Sequence, residues 1–292
     1  MYKQALGLIK KSFDQNNTLN SPETSTVQRV IAVTSGKGGV GKSNFVANLS
    51  LALADLGKKV LIIDADLGLA NVELLFGVNP KTTLLNYLNS DTEIENLITP
   101  LQNNVDLISG GAGLLELASL NAKQRKKIVQ LIENLPQDYD IILIDTGAGI
   151  NKEVMGFVAA AREVVLIITP EPTSITDAYT MLKMLSRHKL NQEIYLVVNR
   201  VQNEKEGEKI AARITDAAGK FLNLKPQRLG YIFEDRHLPD AVRQMRPLYL
   251  NYPNSLVAKN LQTIARKLTN EQSAKPGEKL SNFFTKLLRI FG

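Results

Sequence analysis

Eight consecutive residues have the types and the spacing needed to hold a polyphosphate and a magnesium ion. The segment Gly36-Lys37-Gly38-Gly39-Val40-Gly41-Lys42-Ser43 fits the pattern G-x-x-x-x-G-K-[ST], in which glycines let backbone N–H groups point toward phosphate oxygens. Lys42 is expected to reach the β- and γ-phosphates, and Ser43 to bind Mg²⁺. Asn44 follows at the start of a helical pattern, whose N-terminus favours an anion. These residues predict a nucleotide site.

Three carboxylates follow apolar strands and are expected near the same site. Asp64 and Asp66 come after Lys59–Ile63, and Asp145 comes after Ile141–Ile144. In open α/β sheets ligands bind beyond the carboxyl ends of the strands. Asp145 is expected to bind Mg²⁺ directly or through water, and Asp64 to support the water shell of the metal. The alternative is that these aspartates only cap the next loop or helix.

The elements that must position these residues alternate between strand and helix from residue 29 onward. Several strands are continuous apolar runs, which is typical of a parallel sheet buried on both faces. The pattern predicts strands at 30–34, 59–63, 105–108, 140–144, 164–168, 194–198 and 228–232, with helices at 43–56, 121–135, 151–161, 174–188, 204–219 and 254–269. The predicted fold is one α/β domain at 29–270, with a mostly parallel central sheet flanked by helices. Residues 1–28 form an N-terminal tail, and residues 271–292 a linker and an amphipathic helix.

Composition excludes several other kinds of protein. The 292 residues contain no cysteine, which excludes disulfides, thiolate metal sites and cysteine-bound iron–sulfur clusters. No apolar run reaches the roughly 18 residues of a transmembrane helix, and the N-terminus lacks a signal-peptide pattern. The net charge of +6 is modest and scattered, so we expect no direct nucleic-acid partner. The dense run Lys123–Lys127 is interpreted as a solvated helix face rather than a docking patch.

The second lysine of the phosphate loop makes the chain resemble the deviant-Walker group of P-loop ATPases, which includes MinD, ParA and the nitrogenase iron protein. The resemblance implies ATP as the nucleotide and an ATP-dependent homodimer in which Lys37 contacts the nucleotide of the partner. It also implies that Asp66 positions the attacking water and that Asn199 and Arg200 bind adenine. The alternatives are a solvated charge for Lys37 and a turn residue for Asn199.

Three longer segments resemble one branch of this group, the FlhG family (also called FleN or YlxH). They are residues 64–73, the switch loop Asp145–Ile150 and residues 169–179, and Gly147 of the switch loop is expected to approach the γ-phosphate. MinD usually has serine-proline where this chain has Thr146-Gly147. The resemblance implies a slow ATPase switch that controls flagellar number and placement. Its implied partners are an FlhF-type GTPase, flagellar C-ring switch proteins and, in some bacteria, a flagellar transcriptional activator.

Other functions stay open at this point. A MinD-type protein that places the division site would use the same chemistry, and a ParA-type protein would segregate DNA. A different class is an interaction scaffold in which the nucleotide serves assembly and hydrolysis is incidental.

Both ends of the chain carry candidate binding segments. At the N-terminus Gln4, Ala5 and Leu8 match an FlhG motif that stimulates the FlhF GTPase, whereas Lys3 and Ile9 depart from it. At the C-terminus an apolar helix face predicts an interfacial helix on the inner membrane surface, formed by Leu280, Phe283, Phe284, Leu287, Leu288 and Phe291. The protein is then expected to be cytoplasmic and to bind the membrane when ATP is bound. The alternative is a helix packed on its own core.

Overall fold

The structure is a computed structural model, and it describes residues 28–66, 71–110, 121–136, 138–188, 192–270 and 280–291. One eight-stranded sheet runs through these residues in the order β3-β4-β2-β5-β1-β6-β7-β8. All neighbouring strands are parallel except β3, which pairs antiparallel with β4. The strands are β1 (Arg29–Ser35), β2 (Val60–Ala65), β3 (Ile98–Pro100), β4 (Val105–Ser109), β5 (Ile141–Ala148), β6 (Glu163–Ile168), β7 (Glu193–Val201) and β8 (Gln227–Phe233).

Helices cover both faces of the sheet. In chain order the described helices are α1 (Lys42–Ala54), α2 (Val72–Phe76), α3 (Leu84–Asn89), α4 (Ala122–Asn134), α5 (Lys152–Ala160), α6 (Pro172–Arg187), α7 (Glu204–Leu222), α8 (His237–Arg243), α9 (Leu248–Asn251), α10 (Leu256–Asn270) and α11 (Leu280–Phe291). Successive residues of β1 enter opposite cores, because side chains alternate across a strand. Ile31 and Val33 pack with α1 and α10, whereas Val30 and Ala32 pack with α4, α5 and α11.

The α/β fold predicted from the sequence is confirmed, including its seven strands. The uninterrupted apolar runs identified those strands because both faces are buried, as in Ile141–Ile144. The sequence did not predict β3 or the short helices α2, α3, α8 and α9, whose lengths are too small for a clear periodicity. Among the residues that the structure describes, no helix is both long and apolar enough to cross a bilayer.

The C-terminal helix differs from the sequence prediction. Its apolar residues Phe283, Phe284 and Leu287 are buried against the domain, and Leu288 is half-buried there. The ring of Phe283 stacks on that of Phe157 in α5, with 6.4 Å between centroids. In this structure the helix takes the alternative left open by the sequence, a helix packed on its own core, because the same apolar face finds an intramolecular surface to cover. The membrane role of the helix stays a prediction. The side chain of Phe291 lies outside what the structure describes.

The N-terminal end of α11 is also fixed to the domain. The backbone N–H of Leu280 donates to the side-chain carbonyl of Gln28 at 3.1 Å, just before β1 begins. The predicted partner residues Gln4, Ala5 and Leu8 lie outside the described residues, as does nearly all of the tail predicted at 1–28.

Candidate nucleotide and switch site

The glycine-rich loop lies at the carboxyl end of β1, in the centre of the sheet. Gly39 and Gly41 have φ values of 76° and 91°, which favour glycine, and Gly41 directly precedes α1. A Cβ on Gly36 would lie 2.5 Å from the backbone carbon of Asp177 in α6. Gly36 is therefore required by close packing with α6, a contact that the motif alone did not reveal.

Lys42 and Asp145 form a buried ion pair beneath this loop. The Lys42 Nζ lies 2.6 Å from Asp145 Oδ1, and the two side chains are 6% and 0% exposed. Asp145 Oδ2 is buried and has no hydrogen-bond partner. Burial raises the pKa of Asp145, whereas Lys42 opposes that shift. One carboxylate oxygen thus neutralises the phosphate-binding lysine, and the other is available to a ligand.

Asp64 lies beside Asp145 because β2 and β5 are paired in register at these two positions. Its Oδ1 accepts from the N–H of Asp66 at 3.0 Å, and its Oδ2 accepts from the N–H groups of Asn71 at 3.1 Å and Val72 at 3.2 Å. Asp64 therefore caps the loop and the start of α2, which is the alternative left open by the sequence. Burial, followed by repulsion from Asp145, raises the pKa of Asp64 to about 7.

Asp66, the predicted water-positioning residue, faces the switch loop. Its Oδ1 lies 3.6 Å from the position of a Cβ on Gly147, and its Oδ2 accepts from the Asn71 amide at 3.2 Å. A Cβ at position 147 would therefore be in ordinary van der Waals contact with this carboxylate. The second glycine of the switch loop, Gly149, donates its N–H to the Ser35 carbonyl at 2.9 Å.

Lys37 is held within its own chain. Its ammonium group forms an ion pair with Glu171 and donates to the Thr173 hydroxyl at 3.1 Å, both at the start of α6. The hydrogen bond from Lys37 lowers the pKa of Glu171. Since the side chains of Lys37 and Glu171 are 38% and 52% exposed, the pair lies at the surface, where such contacts exchange easily.

Asn199 supports the phosphate loop. Its side-chain N–H donates to the Val40 carbonyl at 2.7 Å, and its side-chain oxygen accepts from the N–H of Arg200 at 3.0 Å. A Cβ on Gly41 would lie 2.6 Å from the Asn199 nitrogen. Arg200 is exposed and has a φ of 59°, at an irregularity between β7 and β8. The amide of Asn199 keeps a second N–H and a second oxygen lone pair beyond these two bonds.

The residues at this edge fit a magnesium ion bound with a polyphosphate. Besides Asp145 Oδ2, three buried hydroxyl oxygens here have no hydrogen-bond partner, and they belong to Thr34, Ser109 and Thr169 at the ends of β1, β4 and β6. Ser43 is half-buried at the start of α1. Hydroxyl and carboxylate oxygens are hard ligands of the kind that Mg²⁺ prefers. Asp145 Oδ2 lies beside the Lys42 ammonium beneath the loop, and an unpartnered buried oxygen in such a place indicates a polar ligand or water.

The structure brings together nearly all of the nucleotide-site residues predicted from the sequence. Gly36 to Asn44, Asp64, Asp66, Asp145 and Gly147 lie at one edge of the sheet, and Asn199 contacts the loop from β7. Sequence reasoning missed Glu171, Thr173, Asp177 and Asn71. Their one signal was position, because Asn71 lies in the segment 64–73 and the other three lie in the segment 169–179, both of which carried the family resemblance.

This loop, buried ion pair and row of strand-end carboxylates define a P-loop nucleotide-binding protein. Residues 28–197 match a protein family described as an AAA domain. The chain is 36% identical to the antiactivator FleN of Pseudomonas aeruginosa, over 89% of this chain and 94% of that protein. It is 35% identical to the flagellum site-determining protein YlxH of Helicobacter pylori, over 90% and 91% of the two chains. The chain belongs to the MinD-like family of P-loop ATPases, together with FleN and YlxH.

A solved structure supports the same assignment. The septum site-determining protein MinD of Pyrococcus horikoshii, complexed with Mg-ADP, superimposes with a TM-score of 0.66 at 27% identity. The match covers 83% of this chain and 96% of that chain.

Proposed function

We propose that this protein is an ATP-hydrolysing switch that regulates the number and placement of flagella. The observation that carries the ATPase part is the convergence of Lys42, Asp145, Asp66 and Gly147 at one edge of the sheet. The flagellar part is supported by the similarity to FleN and YlxH over about nine-tenths of the chain.

Each residue has a defined task in this proposal. Lys42 exchanges its bond with Asp145 for the β- and γ-phosphates, and the freed carboxylate faces the metal site together with Ser43. Mg²⁺, when bound, neutralises charge on the phosphates and fixes their orientation. Asp66 orients the attacking water, which needs accurate aim more than a strong base. Asp64 acts indirectly, since it holds the backbone of Asp66.

Dimerisation with ATP is the proposed output of the switch. Lys37 leaves Glu171 and contacts the nucleotide of a second copy, as in the deviant-Walker group. The surface position of the Lys37–Glu171 pair supports this exchange, because an exposed ion pair is easily broken. Hydrolysis then removes the γ-phosphate that stabilises the dimer.

Membrane binding is proposed for α11, with one requirement that the structure adds. Phe283, Phe284 and Leu287 are buried in the domain, so the helix must undock before this face can enter a cytoplasmic membrane surface. One such helix should bind weakly, whereas two on a dimer gain from effective concentration. The same side chains cannot cover the domain and lipid at once, which makes docking a competitor of membrane binding.

The proposed protein partners are an FlhF-type GTPase, flagellar C-ring switch proteins and a flagellar transcriptional activator. The name antiactivator, given to FleN of Pseudomonas aeruginosa, supports the last of these.

The test is to delete the gene, count flagella and minicells by electron microscopy, and complement with wild-type or Asp66→Ala protein. Altered flagellar number or position with normal division is expected, and Asp66→Ala should fail to restore it. Minicells with normal flagella would indicate a division-site protein instead. Full complementation by Asp66→Ala would show that hydrolysis is incidental.

A further inference from the structure

Asn71 is the N-cap residue of α2, but its side chain does not cap the helix. At an N-cap, the side-chain oxygen of asparagine normally accepts a hydrogen bond from a backbone N–H in the first turn. At the start of α2 it is Asp64 that supplies an oxygen, because its Oδ2 accepts from the N–H groups of Asn71 at 3.1 Å and Val72 at 3.2 Å. The side chain of Asn71 therefore has another partner.

That partner is Asp66, the residue proposed to orient the attacking water. The side-chain nitrogen of Asn71 donates to Asp66 Oδ2 at 3.2 Å. The nitrogen rather than the oxygen of the amide must face Asp66, because an ionised carboxylate only accepts hydrogen bonds. Asp64 binds the backbone N–H groups of both residues, so it holds the two ends of this contact in place.

An aspartate that must aim at a water needs such a contact. The torsion that turns a carboxylate about its bond to Cβ is broad, so the backbone alone does not set the direction of the two oxygens. In this structure Asn71 holds Oδ2, and Oδ1 lies on the side of the switch loop, 3.6 Å from the position of a Cβ on Gly147. The contact with Asn71 thus selects which oxygen of Asp66 faces the switch loop.

The backbone of Asn71 is itself fixed. Its N–H is bound to Asp64, and its carbonyl accepts from the N–H of Leu75 at 3.2 Å, which closes the first turn of α2. Val72 and Leu75 are buried and pack this short helix against the domain. The donor that holds Asp66 therefore starts from a rigid position.

We propose that Asn71 is a positioning residue for ATP hydrolysis. It holds Oδ2 of Asp66 so that Oδ1 is aimed at the attacking water beside the switch loop. Asn71 acts through Asp66 and has no assigned contact with the nucleotide. The inference rests on the ATPase function proposed above and on the task given there to Asp66.

The experiment measures single-turnover hydrolysis of Mg-ATP by excess full-length protein, which resolves slow residual rates. Asn71→Ala should lower the rate about 10- to 100-fold, the range expected when a hydrogen bond to a charged group is lost. Affinity for a non-hydrolysable ATP analogue, measured by calorimetry, should change by no more than about twofold, because orientation and not binding is lost.

A double variant tests whether Asn71 acts through Asp66. Once Asp66 is replaced by alanine, Asn71 has no carboxylate to aim, so the double variant Asp66→Ala with Asn71→Ala should hydrolyse ATP as slowly as Asp66→Ala alone.

Asn71→Asp separates aiming from helix capping. Aspartate caps helices as well as asparagine does, so a capping role would tolerate this change. Aspartate cannot donate to Asp66 and places a second negative charge beside it, so the hydrolysis rate should decrease at least as much as in Asn71→Ala.

Asn121→Ala is the matched control, because Asn121 is an N-cap residue whose side chain does cap its helix. Its side-chain oxygen accepts from the N–H of Gln124 at 3.0 Å, at the start of α4. Loss of this cap should lower the thermal midpoint by about 2–4 °C and change the hydrolysis rate by no more than about twofold. Asn71→Ala should show the converse, a slow rate with an almost unchanged midpoint.

Three results would overturn the proposal. They are a wild-type hydrolysis rate in Asn71→Ala, a wild-type rate in Asn71→Asp, and a double variant that is slower than Asp66→Ala by the full factor seen for Asn71→Ala alone. A wild-type rate in Asp66→Ala would instead overturn the task of Asp66 in the proposed function. Slow hydrolysis by Asp66→Ala with normal hydrolysis by Asn71→Ala counts against Asn71 alone.

Discussion

Replacement of Phe157 by alanine should release the C-terminal helix from the domain without altering the helix itself. Phe157 is 3% exposed, lies in α5 and stacks on Phe283 of α11. The change removes one aromatic ring from the surface that α11 covers, whereas the apolar face of α11 stays complete for lipid. Substitution of Phe283 would be ambiguous, because it would damage both docking and insertion.

The magnitude follows from the burial of the ring. A buried Phe→Ala substitution costs about 3–5 kcal/mol, and an aromatic pair contributes about 0.5–1.5 kcal/mol beyond its buried area. If about 2 kcal/mol of the loss falls on the contact with α11, the ratio of docked to undocked helix decreases about thirtyfold. The rest of the loss falls on the packing of α5 against the sheet.

The assay is hydrogen exchange of residues 280–291 by mass spectrometry, followed by co-sedimentation with anionic vesicles in the absence of nucleotide. Leu182→Ala is the matched control, because Leu182 is fully buried in α6 within a separate cluster and its loss costs about 2–5 kcal/mol. Exchange in α11 should rise much more in Phe157→Ala than in the control. Vesicle binding without ATP should rise above that of the wild type, although it should stay weaker than binding with ATP because a single helix binds weakly.

Equal exchange in the two variants would refute the docking argument, since a general loss of stability would then account for both. Faster exchange in α11 without a gain in vesicle binding would leave docking intact and contradict the membrane role of the helix.

Three further predictions concern the nucleotide site. Glu171→Gln should leave the urea midpoint almost unchanged, because the ion pair between Glu171 and Lys37 is exposed. The variant frees Lys37, so ATP-dependent dimerisation measured by light scattering should rise about twofold or more. A loss of dimerisation would show that Glu171 itself supports the dimer. Asp145→Asn should reduce the free energy of unfolding, measured in urea without nucleotide, by about 3–5 kcal/mol, because Lys42 stays buried without its counter-charge. The double variant Asp145→Asn with Lys42→Met should recover part of that loss. If the double variant instead loses the sum of the two single losses, the two residues do not act as a pair. The pKa of Asp64 is raised from 3.8 to about 7, so between these pH values the folded state holds a proton on Asp64 that the unfolded state has lost. The free energy of unfolding without Mg²⁺ should therefore decrease as pH rises from about 4 to about 7. Asp64→Asn should flatten this part of the pH profile, and an unchanged slope would show that another group causes it.

Much of the fold could be predicted from the sequence, because long buried strands and a phosphate loop have strong local patterns. Ile141–Ile144 is apolar throughout and predicts a strand that leads directly to Asp145, which the structure places beneath the loop, although β5 continues to Ala148. The sequence correctly placed Asp64 at the carboxyl-end edge of the sheet. Its hydrogen bonds to the backbone of residues 66, 71 and 72 could not be predicted, because they depend on the path of a loop that has no periodic pattern.

Contacts between distant segments were beyond the sequence. The glutamate that binds Lys37 lies 134 residues further along the chain, and nothing local to either residue signals the pair. The sequence could not show that α11 docks on the domain, for a related reason. An amphipathic helix has the same apolar period whether its face covers a protein core or a lipid surface, so Phe283 and Leu287 could not distinguish the two.

The attachment of α11 has a mechanical consequence. One route from the phosphate loop to the helix runs along β1, from Gly36 back to Gln28, and β1 is hydrogen-bonded on both sides to β5 and β6. This route is stiff, because a central strand moves only with its sheet. The other route runs through α5, which begins two residues after the switch loop and is held to the sheet and to α11 by side-chain packing. A movement of the switch loop should therefore reach α11 through α5 rather than through β1. The N-terminal end of α11, which is bonded to Gln28, should stay in place while the rest of the helix moves.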